Sequence, residues 1–168
     1  GHYKIGLNFL PKIAAPAPGG RTGTNMPDGP IKTLFLTHAA DFGGAELSLL
    51  ELLGRLDHGR VAPVFACLSE GPLLEEIDRL EVPRVSIGTP ADVVSARRDV
   101  LGGGIGSSPS KLLRSLPVIL DTTEVILREG IELVYTNSSK AHVIGGFAGR
   151  RAGVPVVWHY RDYPGAMA

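Results

Sequence analysis

An α/β domain built on a doubly wound parallel sheet is the fold class that this 168-residue sequence predicts, and three observations lead there. Short apolar runs alternate along the chain with segments of helical period, the pattern of repeated βαβ units. The runs are nearly continuously apolar, as strands covered on both faces are. Parallel strands joined through helices cross over right-handedly, which turns such units into a Rossmann-like domain.

The elements follow in order. Residues 1–30 contain "PKIAAPAPGGRTGTNMPDGP", rich in Pro, Gly and Ala with no period. They are expected to be an extended or disordered lead-in, native or vector-derived, with Met26 a candidate natural start and the folded domain spanning 31–168. "IKTLFLT" (Ile31–Thr37) reads as the first strand. In "AELSLLELLGRL", Ala45, Leu49, Leu52, Leu53 and Leu56 recur on one helical face. "VAPVFACLS" (Val61–Ser69) is a second strand, and "GPLLEEIDRL" a short helix with Pro72 in its first turn, where a missing N–H costs nothing. "PRVSIG" (Pro83–Gly88) is expected to be a third strand. A glycine cluster, Gly102–Gly104 and Gly106, then marks a long mobile loop over about 89–109. A helix from about Ser110 to Arg128 follows, bent or broken at Pro117. "IELVYTN" (Ile131–Asn137) and "VPVVWHY" (Val154–Tyr160) complete the strands, with the helix "SSKAHVIGGFAGRRAG" between them.

Composition excludes several classes. Lys plus Arg and Asp plus Glu number 17 each, so no global field draws the chain to nucleic acid or membrane. The single cysteine, Cys67, rules out a disulfide framework. No apolar run approaches the roughly 20 residues that cross a bilayer. A reducing, cytoplasmic setting fits, and Arg97 and Arg98 in the long loop permit a peripheral contact with anionic lipid. GxxxxGK[ST], HExxH, CxxC and GxSxG are all missing, so no metal or nucleophile motif is expected. Glu70, ending the second strand, would suit the ribose of a dinucleotide, but "HAADFGGAE" does not supply the G-x-G-x-x-G that such a fold needs.

Ligands of doubly wound sheets sit beyond the carboxyl ends of the strands, and three groups fall there. Gly43 and Gly44 precede Ala45 and Glu46 where a helix starts. A helix N-terminus attracts anions and glycine lets them approach; alternatively the pair only turns the chain, with Glu46 offsetting the helix dipole. Asn137, Ser138 or Ser139 can cap the helix after the fourth strand, with Lys140 or His142 facing the same cleft. "NSS" also matches a glycosylation sequon, a chance match in a chain with no secretion signal. His159, Arg161 and Asp162 end the fifth strand; Arg161 and Asp162 read equally as a surface salt bridge, and His159 as a packed histidine.

Taken together, "FGGAE" after the first strand, "VYTNSSKAH" ending the fourth and "AGVPVVWHYRD" at the fifth resemble the N-terminal domain of family 4 GT-B glycosyltransferases, in family order over about 31–162. The resemblance implies one half of a GT-B architecture, on the acceptor side of a retaining enzyme that moves a sugar from a nucleotide-sugar donor to an unknown sugar, lipid or small-molecule acceptor. It implies that Gly43 and Gly44 approach the donor phosphates and that His159 lies against the donor sugar. Glu46, Asn137, Ser138, Lys140, Arg161 and Asp162 then belong to the donor or acceptor site. Neither a metal nor a cofactor is implied, the nucleotide-sugar being a substrate. The second, nucleotide-binding domain is missing from the sequence, so the chain alone is expected to be inactive. A non-catalytic doubly wound binding module is the competing expectation.

Overall fold

The computed structural model describes residues 29–88 and 109–160. Its first strand, β1 (Ile31–Thr37), leads into α1 (Gly44–Gly54), β2 (Val61–Cys67) and α2 (Leu73–Arg79). After the undescribed segment come α3 (Pro109–Arg128), β3 (Leu133–Thr136), α4 (Ser139–Ala152) and β4 (Val156–Trp158). All pairs are parallel and the order is β2-β1-β3-β4. The fold is therefore the expected Rossmann-like α/β sheet.

Side-chain alternation along β1 sorts the helices onto two faces. Leu34 and Leu36 enter one core with Val64, Ala66, Val134, residues of α3 and Ala141, Ile144 and Ala148 of α4. Phe35 enters the other with Phe65, Leu49 and Leu53 of α1, and Leu73 and Ile77 of α2. Each fully buried leucine contributes about 1.5–3 kcal/mol, so both faces hold the sheet. Between β2 and β3 the chain moves from one side of β1 to the other and its helices change face. The topological switch point thus lies between β1 and β3.

The third strand expected over Pro83–Gly88 is reduced to a single bridge, Phe65 to Arg84. Phe65 turns both its N–H and its carbonyl outward, to the Pro83 oxygen (2.8 Å) and the Val85 N–H (2.9 Å). Extending that ladder one step upstream needs the N–H groups of residues 63 and 83, and both are prolines. The two prolines keep the ladder from growing upstream of the bridge. Pro117, by contrast, lies within an α3 that runs on past it, so the expected break does not occur. α4 ends at Gly153 in the left-handed region (φ 76°), where its N–H and that of Val154 cap the last carbonyls. The lead-in over 1–28 and the expected loop over 89–108 lie outside the described residues.

Candidate functional site

A cavity of about 430 Å³ opens at the carboxyl ends of β1 and β3. His38 and Ala39 after β1, Ala45 and Glu46 of α1, Asn137 and Ser138 after β3, Ser139, Lys140 and His142 of α4, and His159 and Tyr160 after β4 line it. A larger cavity, about 530 Å³, sits at the opposite end of the sheet among Ile31, Leu56, Asp57, Gly59, Arg60 and Val61. Size does not choose between them. The smaller one receives the N-termini of two helices at the switch point, where the helix dipoles point their positive ends.

Neither helix start carries a side-chain cap. Gly43 is the N-cap of α1 in extended conformation, and Ser138 that of α4. Ser138 does not perform the capping expected of a serine, because its Oγ lies 2.6 Å from His38 Nδ1. Asn137 does not cap either; it is buried, and its Nδ2 donates to the Ala45 carbonyl at 3.1 Å, tying the first turn of α1 to the end of β3. That bond and the Asn137 N–H to the Leu36 oxygen (3.0 Å) fix the two helix starts relative to each other.

Glu46 is the acidic residue in the first turn of α1, where the dipole-offset reading puts it, but it is not exposed. It shares the buried stripe of α1 with Leu49 and Leu53 and is only 7% exposed. Its carboxylate folds back over Gly43, where an added Cβ would stand 2.8 Å from Oε2. At Gly44 an added Cβ would meet nothing within 4 Å. The fold thus uses Gly43 to seat Glu46, whereas the space at Gly44 opens away from the protein.

Three histidines surround the cavity. Burial, and secondarily the Lys140 ammonium, lower the His38 pKa from its ordinary value, keeping the imidazole neutral. Burial likewise lowers that of Lys140. His142 is buried, with Nδ1 2.7 Å from Thr136 Oγ1. Because the Thr136 hydroxyl donates to the Val157 carbonyl (3.1 Å), His142 Nδ1 carries the proton in their contact. His159 is half-buried; its N–H reaches the Thr136 carbonyl at 3.0 Å and its Nδ1 is hydrogen-bonded to the Tyr135 hydroxyl. The Tyr135 ring meets it edge-on at 5.6 Å.

The structure therefore brings Glu46, Asn137, Ser138, Lys140 and His159 to one cavity beside the glycine pair. Arg161 and Asp162 lie outside the described residues. Sequence reasoning missed His38 and Tyr135. His38 follows the last residue of β1 directly, a position at a strand's carboxyl end that could have marked it. Tyr135 read as one more apolar strand residue. Among the described residues no cluster of three His, Cys, Asp or Glu side chains could hold a metal ion, and no helix is long and apolar enough to cross a membrane.

No protein-family model matches the sequence, and no curated protein does. Solved structures share its fold. Anabaena HepE in complex with UDP and glucose superposes with a TM-score of 0.56 and 22% identity, over 79% of this chain and 30% of that one. The same protein in complex with UDP-glucose gives 0.55 and 21%, over 79% of this chain and 29% of that one. A glycosyltransferase from Rickettsia africae gives 0.52 and 16%, over 82% and 32%. The fold is shared with part of a glycosyltransferase. This chain spans about 30% of the length of the structures it matches.

Proposed function

We propose that the chain is the N-terminal, acceptor-side domain of a retaining, family 4 GT-B glycosyltransferase using a nucleotide-sugar donor without a metal or other cofactor. The observation that carries this reading is that Ala45 and Glu46, which directly follow the Gly43–Gly44 pair, line one cavity with His159 at the switch point. The likeness to a fold crystallised with UDP-glucose supports it. Gly44, with open space above it, admits a donor phosphate to the start of α1, where the helix dipole favours negative charge. His159, oriented by Tyr135, supports the sugar as it leaves the diphosphate. Lys140 adds positive charge, Glu46, Asn137 and Ser138 complete the surroundings of donor and acceptor, and Arg161 and Asp162 are assigned to the site by the sequence resemblance alone. The enzyme would work in the cytoplasm, in peripheral contact with the membrane's inner face.

In this division of labour a separate domain holds the base and ribose. A helix terminus contributes about 0.3–1 kcal/mol, at best ~2, whereas a 1 mM dissociation constant requires about 4.1 kcal/mol. The isolated chain should therefore bind UDP-glucose more weakly than ~1 mM by this arithmetic. The test compares the isolated chain with the product of the complete reading frame, assayed for UDP release from UDP-glucose and UDP-galactose and calorimetrically for donor binding. Turnover only by the complete product is expected. Micromolar donor binding by the isolated chain would overturn the division of labour, and a complete product inert towards nucleotide-sugars would leave a binding module.

A further inference from the structure

The last two residues of β3, Tyr135 and Thr136, point to opposite faces of the sheet, and each holds one histidine of the carboxyl-end cavity. Thr136 holds His142 on the α4 face. Its hydroxyl donates to the Val157 carbonyl at 3.1 Å, so His142 Nδ1, 2.7 Å away, brings the proton to their contact. Tyr135 holds His159 on the other face, through its hydroxyl and His159 Nδ1.

The Tyr135 ring is itself fixed. Its cross-strand partner is Phe35, only 3% exposed, with ring centres 5.0 Å apart and planes tilted by 42°. Tyr135 also meets the His159 imidazole edge-on at 5.6 Å. The His159 main chain is pinned as well, its N–H on the Thr136 carbonyl at 3.0 Å. Backbone, ring edge and Nδ1 together hold the imidazole in one orientation. The chemistry of the contact then sets the proton. A phenol, with a pKa of about 10, is a much stronger acid than the N–H of a neutral imidazole. A bare imidazole nitrogen, whose conjugate acid has a pKa of about 6.5, is a much stronger base than a phenol oxygen. The favoured contact therefore has the Tyr135 hydroxyl donating to Nδ1, which leaves the proton of the neutral ring on Nε2.

The geometry points to Tyr135 as a positioning residue that holds His159 as its Nε2–H tautomer, a hydrogen-bond donor set in the same cavity as a His142 of the opposite tautomer. The inference rests on the glycosyltransferase reading for its ligand: the oxygens of a sugar or its diphosphate accept hydrogen bonds, and an Nε2 without a proton would repel their lone pairs. Two-bond proton–nitrogen NMR correlations of the histidine-labelled chain, at a pH where the imidazoles are neutral, distinguish the tautomers. His159→Gln identifies the His159 signals among those of the five histidines. His159 is expected to carry its proton on Nε2, and His142 on Nδ1. In Tyr135→Phe, which keeps a ring against Phe35, the Nδ1–H form of His159 should become populated. The His142 tautomer should stay as it was, showing that the fold is intact. The complete reading frame carrying Tyr135→Phe should lose about tenfold in donor turnover at unchanged KM, the scale of one hydrogen bond. A parent chain with the His159 proton on Nδ1, or His159 signals unmoved by Tyr135→Phe beside an unchanged His142, would overturn the assignment. Full turnover by the variant would overturn the positioning role. Expected spectra with a complete product inert towards nucleotide-sugars would leave the tautomer standing and remove the glycosyltransferase reading. Turnover with the His159 proton on Nδ1 does the reverse.

Discussion

Helices α1 and α4 bring their N-termini to the same cavity but are seated on the sheet in different ways. α1 rests on large side chains, Leu49 and Leu53, which fill the space above Phe35 and Phe65. α4 sets one large side chain, Ile144, among small ones: Ala141 and Ala148, with Gly145 and Gly149 between and beside them. A Cβ added at Gly145 would stand 2.5 Å from Thr136 Cγ2, and one at Gly149 2.4 Å from Val156 Cγ2. The leucine seat is held by buried area, the glycine seat by closeness. Closeness places the polar residues of α4 against β3 and β4, so that Thr136 reaches His142 and Trp158 lies on the helix. One flank of the cavity is therefore built for stability, and the other for positioning side chains.

Leu49→Ala tests the first half of that contrast and should have the largest effect. It empties a fully buried site and should cost about 2–5 kcal/mol in urea denaturation. A loss below ~1 kcal/mol, the scale of an ordinary surface change, would show that α1 does not depend on its leucines.

His159→Asn tests the second half. In the complete enzyme, turnover should fall about 10²–10³-fold, ~2.7–4 kcal/mol in the transition state. The melting temperature should stay nearly constant, since His159 is only half-buried. Full turnover with intact folding would remove His159 from the site and leave the fold untouched.

Gly145→Ala should cost about 1–3 kcal/mol, because one methyl group forces α4 away from Thr136 and Leu36. Gly44→Ala is the matched control, since its Cβ meets nothing within 4 Å, and should stay within ~0.5 kcal/mol. Equal effects of the two would break the distinction between the seats.

The smallest effect concerns His38. Its folded-state pKa is lowered, so the unfolded chain binds the proton more readily and stability rises with pH. The contribution is complete above the ordinary value of 6.5 and is lost as pH falls from there through the folded pKa. Chemical denaturation of His38→Asn across that window should show a flatter acid limb than the parent chain. An unchanged limb would mean that other groups carry the dependence.

Much of this was legible in the sequence because apolar periodicity reports directly on burial. The βαβ alternation, the parallel sheet and the position of "FGGAE" and "TNSSKAH" at strand ends all follow from side-chain spacing along one element. What failed depended on which chain segment lies opposite. Pro63 and Pro83 look harmless separately; only the pairing register sets both missing N–H groups at the same step of one ladder. Ser138 carries a capping side chain, but His38, a hundred positions earlier, takes its hydroxyl. Glu46 has the composition of an exposed first-turn acid, and its burial comes from the rotation of α1 about Leu49 and Leu53. Local spacing by itself determined the elements and the end of the sheet where the candidate site lies. Which side chains meet there was decided by the tertiary structure, because hydrogen bonds and close contacts between distant segments depend on strand order and helix seating, and neither has a period along the chain.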